Sequence, residues 1–265
     1  MAEYTSQYLA RLYDNHLGYV AKRDADSPEY VQWREEVTYW KIPNLMAQLP
    51  TGIQISSICE VGCATGELLC LLPVDVPLNR RIGLDISSKN VAVARQRFPE
   101  ATFLEEDIFT YSGETFDLMV LSDVVEHVPD DVGFLVRCSE MATHILLNLP
   151  LESCLMYRHR AFGPQDHAGH LRAYSLQEGL NLVEQAGLKC RSWSVRWFVD
   201  QQIFYTHRRR RYFSPSASLP LRRRVKYYVT GLALLSKAFR HWYFSANLFA
   251  LLEEVEASRF CDGQQ

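Results

Sequence analysis

The sequence lacks the features that mark secreted, zinc-binding and membrane-spanning proteins. Its seven cysteines stand at irregular spacings and form no CxxC pair, which argues against a disulfide framework or a zinc site of that type. The longest uncharged runs of its basic C-terminal part, "YYVTGLALLS" and "WYFSANLFALL", are shorter than the ~20 apolar residues of a spanning helix. Because the N-terminus has no basic region followed by an apolar run, we predict no secretion signal and a cytoplasmic location.

Charge is distributed unevenly along the chain. Between Gln201 and Leu252 there are ten Lys or Arg residues and no Asp or Glu, so the remainder carries 18 basic residues against 31 acidic ones. An acidic body with a basic C-terminal segment suggests two separate roles. With 265 residues and 48% hydrophobic content, the chain can bury one large core and a small appendage.

Strand and helix signals alternate from residue 56 onward. We predict strands at Ser57–Val61, Arg81–Asp85, Thr102–Glu105, Leu118–Ser122 and Ile145–Leu149, and two more at 189–198 and 201–209. Helices are predicted at 87–98 and 175–188, the second with a Ser175/Glu178 capping box. The predicted fold class is therefore α/β, with a Rossmann-like, doubly wound, mostly parallel seven-stranded sheet.

Three parts are expected along the chain. Residues 1–50 are predicted to form an N-terminal helical lid or flank, 51–212 the sheet domain, and 213–265 a basic amphipathic helical extension. Apolar side chains recur at helical spacing in the extension, at Val225, Val229, Leu232, Leu235, Phe239, Trp242 and Ala246. We expect this face to pack on the sheet or on a second subunit; contact with an anionic membrane surface is the next alternative, and nucleic acid is unlikely.

The turn "EVGCATGELL" joins the first predicted strand to a helix. The dinucleotide-binding fingerprint would need glycine at positions 62, 64 and 67, where this chain has Gly62, Ala64 and Glu67. The spacing Glu60-x-Gly62-x-Ala64-x-Gly66 instead resembles motif I of the class I S-adenosylmethionine-dependent methyltransferases, with Ala64 in place of the middle glycine. The later segments "RRIGLDIS", "TFLEEDIF" and "FDLMVLSDVVEHVPDD" extend this resemblance over roughly residues 55–187.

The resemblance implies that S-adenosylmethionine is the cofactor and assigns its amino-acid end. Backbone amides of the turn that contains Gly62, Ala64 and Gly66 would meet the cofactor carboxylate. Glu60 and the loop at Ser122 would hold the amine, directly or through water.

The resemblance also assigns the adenosine end. Asp85 would accept hydrogen bonds from both ribose hydroxyls, and Ile86 would pack on the adenine. Asp107 would accept from the adenine amino group, and Ile108 would lie against the ring. For both acids, a solvated strand end or a helix cap is the structural alternative.

Several absent motifs narrow the acceptor. The chain has no N/D-P-P-Y/F box after the fourth strand, no Pro-Cys dipeptide and no CxxxCxxC, which disfavours base-amine, cytosine C5 and radical methylation. The chain instead resembles the small-molecule branch of the family and is similar to the quinone-biosynthesis methyltransferases. Two segments carry this resemblance, Glu126–Asp130 and His170–Ser175. We therefore expect methylation, most simply on oxygen, of a small-molecule acceptor or a glycan or lipid precursor. The alternative is an inactive binding module that uses its basic C-terminal helices for a partner, a membrane surface or RNA.

Histidines are the candidate catalytic groups. His167 and His170 lie in the loop after the fifth strand, beside Asp166, and either one is a candidate base for a hydroxyl acceptor. His127 follows the fourth strand and is an equal candidate for packing at a helix start. No metal is predicted, because no second and third carboxylate accompany Asp123 at metal-ligand spacing.

Overall fold

A single seven-stranded sheet organises the computed structural model, which describes residues 6–15, 27–163, 166–197, 200, 225 and 236–255. The predicted strand at 201–209 and most of the basic segment lie outside these residues. The strands are β1 Ile58–Val61, β2 Arg81–Asp85, β3 Thr102–Glu105, β4 Phe116–Ser122, β5 Ala142–Leu151, β6 Leu188–Trp197 and β7 Ala246–Glu254. Each of the first five overlaps its predicted range, and the predicted strand at 189–198 is confirmed as β6.

Helices cover the sheet and its upper edge. They are α1 Ser6–Asn15, α2 Pro28–Glu36, α3 Ile42–Met46, α4 Glu67–Leu71, α5 Ser88–Arg97, α6 Asp131–Met141, α7 Leu176–Gln185 and α8 Lys237–Tyr243. A π-helical turn at Val37–Lys41 joins α2 to α3, and 3₁₀ turns occur at Leu78–Arg80, Val125–His127 and Leu155–Tyr157. In the described parts of the chain, no helix is long and apolar enough to cross a membrane.

Side-chain caps explain where the main helices begin. Ser87 accepts a hydrogen bond from the amide of Asn90 at the start of α5, and Asp130 caps α6 through the amide of Gly133. Ser175 and Glu178 form the predicted capping box of α7. Each of these contacts satisfies an amide that would otherwise lack an intrahelical partner.

The strand order is β3-β2-β1-β4-β5-β7-β6. The first five of these strands in that order pair in parallel, whereas β7 is antiparallel to both β5 and β6. The order reverses at β1, where β2 and β4 lie on either side. In open α/β sheets, ligands bind outside the carboxyl ends of the strands at such a reversal.

The prediction of a helical extension over 213–265 is wrong for residues 246–254. These residues form β7 between β5 and β6, and the side chains of Leu248–Leu252 are fully buried. A strand buried on both faces is apolar without alternation, so its pattern does not distinguish it from a buried helix. Phe239 and Trp242 do lie in a helix, α8, whereas Ala246 begins the strand.

The described residues of the N-terminal part, 6–15 and 27–50, are mainly helical, as predicted, and rest on the upper edge of the sheet. Asp14 at the end of α1 accepts hydrogen bonds from the hydroxyls of Ser87 and Ser88. Gln48, just beyond α3, donates to the hydroxyl of Ser194 in β6. These contacts hold the first helices over the carboxyl ends of the strands, where they cover a cavity.

Candidate active site

A cavity of about 580 Å³ lies at the carboxyl ends of β1, β2 and β4. Its floor is formed by the turn after β1, and its roof by Leu9, Tyr13, Trp33 and Lys41 of the N-terminal helices. The volume is typical of a site for a cofactor or small molecule, and the position is the one expected for this sheet topology.

Most of the residues predicted to act in the site line this one cavity. The lining set contains Glu60, Gly62, Ala64, Asp85, Ile86, Asp107, Ile108, Ser122, His127 and His170. Gly66 and His167 are not in the set. The structure therefore brings together ten of the twelve predicted positions, which are separated by as many as 110 residues in the chain.

The turn after β1 depends on left-handed backbone conformations. Gly62, Ala64 and Gly66 have φ angles of 74°, 49° and 87°. A side chain at Gly62 would also meet Val124, because a Cβ there would lie 2.8 Å from a methyl carbon of Val124. Alanine tolerates φ near 50° poorly, so the replacement of the middle glycine by Ala64 strains the turn.

Asp85 anchors this turn. One carboxylate oxygen accepts from the amide of Ala64 at 2.8 Å, and the other accepts from the amide of Ser87 at 2.8 Å. The side chain is nearly buried yet lines the cavity. Nδ2 of Asn90 lies 3.5 Å from the oxygen that accepts from Ser87, and the contact of Asp85 with the ribose hydroxyls stays a prediction.

The turn amides are largely occupied within the protein. The amides of Gly62 and Cys63 donate to the carbonyl of Leu84, and that of Gly66 donates to the carbonyl of Cys63. Together with the amide of Ala64, four of the five amides from 62 to 66 are used to shape the turn. Their predicted contact with a cofactor carboxylate stays a prediction.

Acidic side chains dominate the cavity wall. Among the described residues, Lys41 is the only Lys or Arg that lines it. Eight acids line it: Glu36, Glu60, Asp85, Glu106, Asp107, Asp123, Asp130 and Glu152. Glu60 is buried, which raises the pKa of its carboxyl well above the usual range, and one of its oxygens accepts from the amide of Leu69. A cavity of this sign favours a positively charged ligand.

The loop after β4 forms the second end of the cavity. Asp123 has a φ angle of 53° and pairs with Lys41 at 2.6 Å. The side-chain Nδ2 of Asn148 in β5 donates to the hydroxyl of Ser122 and to the carboxylate oxygens of Asp123. These contacts hold a non-glycine residue in a strained conformation, a feature that is concentrated at functional sites.

Three further side chains converge beside this loop. Nε2 of His127 and Nε2 of His170 lie 3.7 Å and 3.9 Å from one carboxylate oxygen of Glu126. Glu126 is 1% exposed, and neither of its side-chain oxygens has a hydrogen-bond partner among the described residues. Burial raises the pKa of the Glu126 carboxyl well above its usual range, whereas burial and the neighbouring His170 lower the pKa of His127 to about 4.

The other ring nitrogen of each histidine is fixed. Nδ1 of His127 lies 2.9 Å from the carbonyl of Gly169, which can only accept, so this nitrogen carries the proton. Nδ1 of His170 lies 2.6 Å from a carboxylate oxygen of Glu152. Both rings are therefore oriented with Nε2 toward Glu126.

An ion-pair network supports His170 but leaves His167 at the surface. Arg160 bridges Glu152 and Asp166, at 2.7 Å to each, and Asp166 accepts from the amide of His170. The side chain of His167 is 79% exposed, and Nδ1 lies 3.4 Å from Asp166. The predicted Asp166 contact with His167 is thus present, but the main partner of Asp166 is Arg160.

Comparison with known proteins agrees with this geometry. Residues 59–143 match the family model described as a methyltransferase domain. The trans-aconitate 2-methyltransferase of Afipia carboxidovorans is 28% identical over 57% of this chain, and the match covers 63% of that relative. The ubiquinone biosynthesis O-methyltransferase of Mesorhizobium japonicum is 34% identical over 32% of this chain and 35% of its own length.

The fold is also shared with solved proteins. Magnesium protoporphyrin IX methyltransferase from Synechocystis, solved with bound S-adenosylmethionine, has a TM-score of 0.56 and 14% identity, covering 96% of this chain and 100% of that one. Residues 59–143 thus match a methyltransferase domain, and the chain is similar in fold to a methyltransferase solved with its methyl donor. The matches span less than two thirds of the length of the curated relatives given above, so the reaction and its acceptor are argued below from the site itself.

Several side chains of the candidate site were not predicted from the sequence. Lys41 precedes the sheet domain, and Glu152 stands just after β5 without a motif around it. Glu126 belongs to the phrase "EHVPD", which the resemblance used without giving the residue a role. The signal that could have drawn attention to Glu126 is an acid in a segment whose other residues are expected to be buried.

Proposed function

We propose that this protein transfers the methyl group of S-adenosylmethionine to a hydroxyl oxygen of a small-molecule acceptor. One observation carries the proposal: a single cavity contains the predicted cofactor residues at one end and a cluster of proton-accepting side chains at the other. The match to a methyltransferase domain and to curated methyltransferases supports the reaction class.

The cavity fits the cofactor in charge and in shape. When bound, S-adenosylmethionine supplies a methyl group on a positively charged sulfonium. The acidic wall, which includes Asp85, Asp107 and Asp130, favours that charge. The left-handed turn at Gly62 keeps the backbone free of a side chain where the ligand must approach.

Methyl transfer is an in-line displacement, so alignment and the exclusion of water contribute much of the rate. The N-terminal helices roof the cavity through Leu9, Tyr13 and Trp33 and reduce its contact with water. A hydroxyl acceptor must also lose its proton. The Nε2 atoms of His127 and His170, next to the carboxylate of Glu126, are the groups placed to assist that loss.

The acceptor class is supported by the relatives and by the site. One named relative acts on trans-aconitate, and another is an O-methyltransferase of ubiquinone biosynthesis. We extend to this chain only what these names share, a small acceptor that presents oxygen. A glycan or lipid precursor that presents a hydroxyl fits the same description.

Calorimetry and an acceptor screen test the proposal. We expect saturable binding of S-adenosylmethionine and S-adenosylhomocysteine and none of NAD, followed by release of S-adenosylhomocysteine with a hydroxyl acceptor. Failure to bind either sulfur compound would overturn the proposal. Binding without turnover across hydroxyl, carboxyl and amine acceptors would instead support the inactive binding module that the sequence left as the alternative.

A further inference from the structure

Asn90 holds a buried acceptor atom beside the predicted ribose site. It is the third residue of α5, lines the cavity and is 5% exposed. Its Oδ1 is buried and has no hydrogen-bond partner among the described residues. A buried acceptor without a partner lowers the stability of a protein unless a ligand or a water molecule supplies the donor. Because Asn90 lies in the cavity wall, a bound ligand can supply it.

The neighbouring carboxylate shows which atom of the Asn90 amide is the acceptor. Nδ2 of Asn90 lies 3.5 Å from Oδ1 of Asp85. That oxygen also accepts from the amide of Ser87, and the other oxygen of Asp85 accepts from the amide of Ala64. Turning the Asn90 amide over would place two accepting oxygens against each other. Oδ1 is therefore the amide atom that lacks a partner.

The protein itself uses most of the accepting capacity of Asp85. A carboxylate accepts about four hydrogen bonds. Three donors within the protein reach this one, the amides of Ala64 and Ser87 and Nδ2 of Asn90. At most one acceptor site remains for a ligand, whereas the two hydroxyls of a ribose offer two donors. A second acceptor beside Asp85 is needed, and Oδ1 of Asn90 is such an atom.

We propose that Asn90 binds the ribose of the cofactor together with Asp85, so that one ribose hydroxyl donates to Asp85 and the other donates to Oδ1 of Asn90. The terminal amide turns about a torsion that has broad minima, and the long contact with Asp85 opposes such a turn only weakly. This division differs from the expectation that Asp85 alone accepts from both hydroxyls. The inference rests on the proposed function, which supplies the cofactor.

The backbone holds Asn90 in place independently of its side chain. Its amide donates to the hydroxyl of Ser87, which caps α5, and the amide of Val91 donates to the carbonyl of Ser87. The hydroxyl of Ser87 donates in turn to Asp14 of α1. Replacing the Asn90 side chain therefore leaves the start of α5 supported. A change in ligand affinity then reports on the amide group itself.

Calorimetry with S-adenosylhomocysteine tests the proposal without any methyl transfer. Asn90→Leu replaces the amide by an apolar side chain of similar size, and Asn90→Ala removes the bulk as well. We expect both variants to bind about 2–12-fold more weakly than the wild type, the range for one neutral hydrogen bond. Asn181→Leu is the control, since Asn181 is exposed on α7 and lies outside the cavity lining. Unfolding temperatures without ligand show that each variant is folded.

Two ligand analogues identify the hydroxyl that Asn90 accepts. The 2′-deoxy and 3′-deoxy forms of S-adenosylhomocysteine each lack one ribose donor. In the wild type, both analogues should bind more weakly than S-adenosylhomocysteine. In Asn90→Leu, the loss of one of the two hydroxyls should cost little further affinity, because the acceptor of that hydroxyl is already gone.

The outcomes separate this inference from the proposed function. Wild-type affinity in both Asn90 variants, or an unchanged effect of each missing hydroxyl in Asn90→Leu, would overturn the inference and leave the proposed function standing. Adenosine serves as a second probe. If the wild type binds adenosine with the same dependence on Asn90 but binds neither S-adenosylmethionine nor S-adenosylhomocysteine, the inference stands and the proposed function fails. If none of these ribosides binds, both are overturned.

Discussion

Nζ of Lys41 lies 2.6 Å from a carboxylate oxygen of Asp123. This ion pair joins the π-helical turn of the N-terminal helices to the loop after β4. Lys41 is well covered, whereas the Asp123 side chain is 27% exposed, so solvent screening reduces the strength of the pair. The pair nevertheless spans two separate parts of the fold and closes one side of the cavity.

A double-mutant cycle measures what this ion pair contributes. Lys41→Met should destabilise the protein because it leaves Asp123 close to Glu126 without its cation. In the Lys41→Met background, Asp123→Asn should cost less than it does alone, with a coupling of about 1 kcal/mol. Urea unfolding checks this value, and the half-exposed pair of Arg191 and Glu253 serves as the control, where a smaller coupling is expected.

Gly62 should not tolerate a side chain. We expect Gly62→Ala to lower the free energy of unfolding and the affinity for S-adenosylhomocysteine, since φ is 74° and the new Cβ would lie 2.8 Å from Val124. Gly187→Ala is the matched control: its φ is 73°, but nothing lies within 4 Å of its Cβ. That control should lose about 1–2 kcal/mol from strain alone.

Adding Val124→Ala separates the two causes at Gly62. It should recover the part of the loss that exceeds the Gly187→Ala value, because it removes the atom that the new Cβ meets. Equal stability of Gly62→Ala and wild type in urea unfolding would show that the turn is not held as described.

Asp85 should be essential for cofactor affinity. Asp85→Ala removes the acceptor of the Ala64 amide as well as the predicted ribose contacts. Each hydrogen bond to a charged group contributes about 1.5–3 kcal/mol, so we expect at least tenfold weaker binding of S-adenosylhomocysteine in calorimetry. Asp117→Ala is the control, because Asp117 also accepts backbone amides, from Ser56 and Ser57, but does not line the cavity. Unchanged affinity in Asp85→Ala would refute the ribose assignment.

The parallel part of the fold was predictable because its signals are local. β2 and β3 coincide with their predicted bounds, and the capping box at Ser175 marks the start of α7. β7 was missed because it follows β6 by almost 50 residues and pairs antiparallel with β5, so no short-range signal announces it. Its apolar run of uniform burial is equally typical of a buried helix.

The residues at the cofactor end of the cavity can be predicted from sequence motifs, whereas the cluster around Glu126 and His170 at the other end cannot. Gly62 and Asp107 lie just after β1 and β3, and Asp85 ends β2. Parallel strands bring their carboxyl ends to one edge of the sheet. The convergence of Glu126 with His170 depends on a loop that returns across 44 residues, where the amide of Leu171 donates to the carbonyl of Glu126. Such a return has no sequence periodicity and appears only in three dimensions.

Asp131 should make stability depend on pH in the acid range. Burial opposes its ionisation, but hydrogen bonds from Arg172 and Tyr174 outweigh burial and lower the pKa of the carboxyl. Since the folded pKa lies below the unfolded value of about 3.9, this contribution is present above that pH and is lost as pH falls through the folded pKa. Asp131→Asn should therefore lower the unfolding temperature at pH 7 and lose this effect toward pH 3. Glu140→Gln, in an exposed pair with Arg137, should have little effect at either pH.

His170 and His167 should differ sharply in their effect on turnover. His170 lines the cavity, its side chain is 12% exposed, and its Nδ1 is bound by Glu152, whereas His167 is 79% exposed and lies outside the cavity lining. Once an acceptor is found, His170→Gln should lower kcat by about 10²–10⁴, the range for loss of a group that assists proton transfer. His167→Gln should remain close to wild type. The affinity for S-adenosylhomocysteine should be nearly unchanged in both variants, because His170 does not contact Asp85 or Asp107. Its contacts are with Glu126, His127, Glu152 and Asp166. Steady-state kinetics with both variants decide the matter: full activity in His170→Gln would remove this cluster from the reaction, and a large loss in His167→Gln alone would return the role to the exposed histidine.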